Sequence, residues 1–83
     1  MSDLPPLPAL TPGRYRHYKG GEYHVVGVAR HSESLEALVV YRPCREPCGL
    51  WVRPYAMFVG DVVIEGQSRP RFMLLEASAF PAP

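Results

Sequence analysis

Eighty-three residues make one domain and are too few for two, and a chain this short buries only about 60–65% of its unfolded surface, so its core is thin. With 47% hydrophobic and 20% charged residues the composition is globular, which excludes disorder throughout. A net charge of +1, from 9 basic and 8 acidic residues, supplies no large field to draw in nucleic acid or an anionic membrane.

Residues 1–12 hold Pro5, Pro6, Pro8 and Pro12, which remove backbone donors and block helix, so they read as an extended, disordered tail. Pro5 and Pro8 have the spacing of a proline-rich ligand motif, but a plain tail is the preferred reading. No basic region followed by an apolar stretch marks a signal peptide. No apolar run approaches the roughly 20 residues that cross a bilayer, so a cytoplasmic location without membrane contact is expected.

The folded unit is expected over residues 13–75, with a flexible tail over 76–83. Gly13 to Tyr18 alternates, placing Tyr15 and His17 on one side and Arg14, Arg16 and Tyr18 on the other. Lys19-Gly20-Gly21 is a turn. Glu22 to Arg30 is the strongest strand, and Gly27 within it predicts a bulge or sharp bend. His31 to Ser34 makes the next corner. Glu36 to Arg42 is a third strand; Leu35, Leu38 and Val39 have helical spacing, but Val39, Val40 and Tyr41 tip the reading to strand. After a loop over Pro43 to Gly49 come a short strand, Leu50 to Arg53, stopped by Pro54, and one helical turn over Tyr55 to Val59. Asp61 to Glu65 is a fifth strand, and Gly66 turns the chain toward a last segment, Arg71 to Leu75. Five or six short strands with at most one helical turn describe an all-β fold, a small barrel or rolled sheet.

Six short motifs in order carry a family resemblance: Gly13 to Tyr23, Ala29-Arg30-His31-Ser32-Glu33, Leu38-Val39-Val40-Tyr41, Leu50-Trp51-Val52-Arg53-Pro54, Met57-Phe58 and Pro70-Arg71-Phe72. Together they resemble the small bacterial family catalogued as domain of unknown function 1653. The resemblance implies a barrel of the SH3 type and no activity. The loop Pro43 to Cys48 departs from the family's usual pattern, which more often lacks cysteine and proline there, so no shared function attaches to Cys44 and Cys48.

The polar set that points to chemistry is His31, Glu33 and Arg53, joined by Tyr18 and Arg71. An Arg between Trp51, Val52 and Pro54 calls for a partner, because an unpaired buried charge is costly, and Glu33 is the expected one. Two readings follow. Either Arg53 grips a carboxylate or phosphate with His31 beside it, or Arg53 and Glu33 pair and pin the corner; the second is preferred. Eight of the nine basic residues are Arg, which suits anion recognition, although codon bias is the plainer explanation. Cys44-x3-Cys48 lacks the second ligand pair of a zinc site, and His24 and His31 have opposite parity, so neither metal nor cofactor is expected. Free thiols are expected at both cysteines.

Three functions are carried forward. The first is a non-enzymatic binding module whose groove, built from Tyr18, His31, Glu33, Trp51, Arg53 and Tyr55, takes a peptide, a protein partner or a small anion. The alternative is nucleic-acid binding through the Tyr15, Arg16, Tyr18, Lys19 and Tyr23 hairpin, against which stands ordinary cross-strand packing of tyrosines. The third is a small enzyme with His31 as acid or base, which needs a pocket of roughly 300 Å³ that so short a chain rarely makes.

Overall fold

The computed structural model describes residues 4–45 and 49–78. Seven antiparallel strands and one helical turn follow in chain order: β1 (Gly13–His17), β2 (Glu22–Arg30), β3 (Ala37–Pro43), β4 (Trp51–Pro54), α1 (Tyr55–Phe58), β5 (Asp61–Ile64), β6 (Gln67–Pro70) and β7 (Phe72–Ala77). They pair into a five-stranded sheet ordered β4-β3-β2-β1-β7 and a separate hairpin of β5 and β6. No helix among the described residues is long and apolar enough to cross a membrane.

Register assigns the inner face. Tyr15 stands opposite Tyr23, Val25 opposite Tyr41, Val39 opposite Arg53, and Tyr41 opposite Trp51. Directly opposed residues share a face, so these side chains line one surface while Arg14 and Arg16 line the other. Between Val25 and Gly27 the β2–β3 register shifts, which is the bulge that Gly27 announced. It bends β2 and lets the sheet curl. The buried core is Tyr15, Val25, Val39, Tyr41, Phe58 and Phe72. Phe58, carried by the helical turn, stacks on Phe72 with ring centres 3.9 Å apart and planes within 5°.

The curl is strong. In a flat sheet the edge strands β4 and β7 would lie four steps of about 4.8 Å apart, yet the Arg53 guanidinium carbon sits 5.5 Å from the Phe72 ring centre. The sheet nevertheless does not close into the expected barrel, because β4 and β7 share no backbone pairing and stand as its two edges. The Phe58 ring lies against Phe72 on one side of the gap and Tyr41 on the other, with centres 3.9 and 5.5 Å away. Ring packing through Phe58 from β7 to Tyr41 on β3, and the Arg53–Phe72 contact from β4 to β7, thus span the gap where a barrel would have hydrogen bonds.

Two further differences from the expected elements have local causes. Strand β6 reads as a turn in sequence because Gln67-Ser68-Arg69-Pro70 has no β-branched or aromatic residue and all four are exposed. Glu65 and Gly66, at φ 51° and 79°, form the two-residue turn that sets its pairing with β5. Leu4 to Pro12 forms neither helix nor strand, yet it is tethered. Leu10 packs against the core, Tyr15 Oη donates to the Thr11 carbonyl at 2.7 Å, and Ser78 N–H donates to the Pro12 carbonyl at 2.9 Å.

Candidate functional site

Arg53 is the inward-facing cation of the sheet. Its place opposite Val39 turns it to the inner face, where a charge needs compensation. Its Nε donates to Tyr41 Oη at 3.2 Å, one terminal nitrogen lies 3.7 Å from Met57 Sδ, and the guanidinium lies over Phe72. A cation over a ring face is attracted by the ring quadrupole. Among the described residues no carboxylate pairs with it. The ion pairs present there join Arg14 to Glu22 and Glu76, and Arg16 to Glu22, all on the outer face.

His17 approaches the same ring from β1, with centres 4.9 Å apart. Its Nδ1 accepts the Lys19 backbone N–H at 3.2 Å, which leaves Nε2 to carry the proton of the neutral ring. Burial pushes its pKa below the ordinary value, and the positive charges of Arg53, Arg71 and Lys19 push it further down. Arg71 Nε donates to the Met57 carbonyl at 3.1 Å. Arg53 and His17 thus both lie against the Phe72 ring, and Trp51, 41% exposed, stands 5.9 and 6.0 Å from Tyr23 and Tyr41.

A sign follows for acid sensitivity. The folded His17 takes up its proton at lower pH than the unfolded chain, so its contribution to stability is complete above about pH 6.5 and shrinks as pH falls through its depressed folded value. Denaturant midpoints are expected to fall from pH 7.5 to pH 5 by less in His17→Asn than in the parent protein. Equal losses would show that His17 has no part in the slope.

The groove residues expected from sequence do not all meet. His31 sits at the β2–β3 corner, where its Nδ1 accepts the backbone N–H of Glu33 at 3.0 Å and of Ser34 at 3.1 Å. Its backbone N–H donates to the Glu36 carbonyl at 2.8 Å, so the residue organises its own turn. Glu33 is exposed and makes no ion pair with Arg53, contrary to the pairing expected of them. Tyr18 lies beside His17, with ring centres 4.5 Å apart. Trp51 does stand with Arg53 on the inner face of β4, and Tyr55 packs against the core. His17 and Phe72 are the members that sequence reading missed. The available signal was parity: His17 alternates with the buried Tyr15, which puts it inside.

The sequence matches the family described as "Protein of unknown function (DUF1653)" over residues 13–74. The chain belongs to the DUF1653 family. A crystal structure of a DUF1653 protein from Bordetella bronchiseptica is similar to it, with 32% sequence identity and a TM-score of 0.74, covering 84% of this chain and 92% of that one. No curated protein matches it.

In this DUF1653 chain the N-terminal hairpin is not a free basic groove. Arg14 pairs with Glu22 and Glu76, Arg16 reaches Glu22 by a longer contact of 3.3 Å, and Tyr15 is buried. Glu22 holds its charge to lower pH than an ordinary carboxylate because both arginines donate to it. No group of three metal-ligating side chains occurs among the described residues. Cys44 is exposed and free, while Cys48 lies outside the described residues.

Proposed function

We propose that this DUF1653 chain is a small, non-enzymatic binding module of SH3-like build whose inner-face edge takes a carboxylate-bearing peptide or small anion. The observation that carries the reading is Arg53, held over Phe72 with no carboxylate partner among the described residues. A guanidinium held by Tyr41 and Phe72 but left without a carboxylate is free to take an anion, and Arg offers the planar fork that carboxylate and phosphate fit. Arg71 and His17 add donors of the same sense, and exposed Trp51 offers a flat apolar surface beside them. The module contributes recognition and leaves any chemistry to its partner.

The test is a titration of the full chain with inorganic phosphate and with a short Asp/Glu-rich peptide, followed by amide chemical shifts. Shifts are expected at Trp51 to Met57 and at Arg71 and Phe72. Arg53→Gln should weaken binding at least about tenfold, the worth of one or two charge-assisted hydrogen bonds. His31→Ala should leave binding unchanged, since that ring is used up by its own turn. If Arg53→Gln lowers stability and leaves every titration as it was, Arg53 is a structural clasp and the reading fails.

A further inference from the structure

A second concavity lies on the other side of His17. It is a cleft of about 250 Å³ where the end of β1 meets β6 and β7, lined by Arg16, His17, Tyr18, Arg69, Pro70 and Met73. The β1–β7 register places Arg16 directly opposite Met73, so both project from the outer face. Tyr18 is fixed from two sides, by its N–H bond to the Arg71 carbonyl at 2.9 Å and by its ring contact with His17. Strand β6, which packs no residue into the core, supplies Arg69 and Pro70.

The lining divides by chemistry. Tyr18, Pro70 and Met73 are apolar walls, and Lys19 Nζ lies 5.8 Å from the Tyr18 ring centre. Arg16 holds Glu22 only by a long contact of 3.3 Å, and Arg69 has no carboxylate partner among the described residues. No acidic side chain lines the cleft. Its volume of about 250 Å³ falls below the roughly 300–1,000 Å³ of pockets that enclose drug-sized molecules, so a small ligand fills it best. One ring with one anionic group suits that volume and the division of the lining.

We propose that this cleft binds a small aromatic anion, a single planar ring bearing a phosphate or a carboxylate. The guanidinium groups of Arg69 and Arg16 hold the anionic group, and the ring lies against Tyr18, Pro70 and the Met73 thioether, which favours aromatic contact. This assignment is independent of the Arg53 face.

The full chain is titrated with phenyl phosphate, benzoate and inorganic phosphate while the Met73 methyl and Tyr18 ring signals are followed. Saturable shifts are expected with at least one aromatic probe, at least about tenfold tighter than inorganic phosphate. Phenyl phosphate alone assigns a phosphate as the natural group, and benzoate alone assigns a carboxylate. Arg69→Ala should weaken binding at least about tenfold, whereas Arg42→Ala, an equal charge change on β3, should not. Tyr18→Leu should narrow the gap between the aromatic probe and inorganic phosphate. Circular dichroism confirms that each variant is folded. Absence of saturable shifts, parity between aromatic probes and inorganic phosphate, or equal losses in Arg69→Ala and Arg42→Ala would overturn the assignment.

Discussion

Phe58→Ala is expected to leave about half of the molecules unfolded at room temperature. The ring is 1% exposed, stacks on Phe72, and meets Tyr15 and Tyr41 edge-on with centres 5.6 and 5.5 Å away. Removing a buried phenyl group costs about 3–5 kcal/mol, through lost transfer free energy and the cavity left behind. A single core of this size supplies only about 3–5 kcal/mol in total, so the two terms nearly cancel. The site also has little means of collapse. Phe58 comes from a single helical turn fixed between β4 and β5, and the side chains it touches come from three different strands. Urea unfolding followed by Trp51 fluorescence measures the loss. Phe58→Leu, which keeps most of the volume, should fold and unfold at a lower urea concentration. A midpoint for Phe58→Ala within experimental error of the parent would mean that the ring stack does not hold the edges together.

Gly13→Ala should be the second most damaging change, although it adds a single methyl group. Gly13 has φ +147°, a conformation that L side chains rarely adopt. A Cβ there would stand 2.2 Å from the Glu76 carbonyl oxygen and 2.9 Å from the Ala77 Cα. Both obstacles are backbone of the paired strand β7, so no side chain can swing aside. Strain and overpacking together cost about 2–5 kcal/mol. The cheapest escape is for the end of β7 to leave β1, and amide hydrogen exchange should show loss of protection concentrated at Leu74 to Ala77. Gly27→Ala makes the control. Its Cβ would meet nothing within 4 Å, and a change within about 0.5 kcal/mol is expected. Uniform loss of protection across the whole sheet in Gly13→Ala would show that β7 cannot detach separately.

Much of this fold is legible in the chain because its strands obey the simplest rule. Val, Tyr and Phe recur where the pleat needs them, Glu22 to Arg30 has the same limits in sequence and structure, and Gly27 sits at the bulge. The rest escapes for physical reasons. Strand β6 owes its existence to the Glu65-Gly66 turn and to pairing with β5, and its own side chains bury nothing that would mark it. Barrel closure depends on whether two distant edges form hydrogen bonds, which no local pattern encodes. The site was half legible. Arg53 and Trp51 announce themselves as polar and aromatic residues in one short strand, and the structure keeps them together. His31 attracted attention because it neighbours Glu33, but chain adjacency serves the turn and not the groove. His17 was hidden by its neighbours Arg16 and Tyr18, although alternation from Tyr15 already turned it inward.

The seam between β4 and β7 has a consequence for motion. Backbone ladders are cooperative and open together, whereas a seam of rings and one guanidinium opens by side-chain rotation, residue by residue. Breathing of the fold should therefore concentrate there, with β1, β2 and β3 staying paired while the edges part. An anion resting on Arg53 would draw the guanidinium off the Phe72 face or brace it there. Either way it would act on the line along which β4 and β7 are not laced, so an anion bound there would change the stiffness of the domain through the same few atoms.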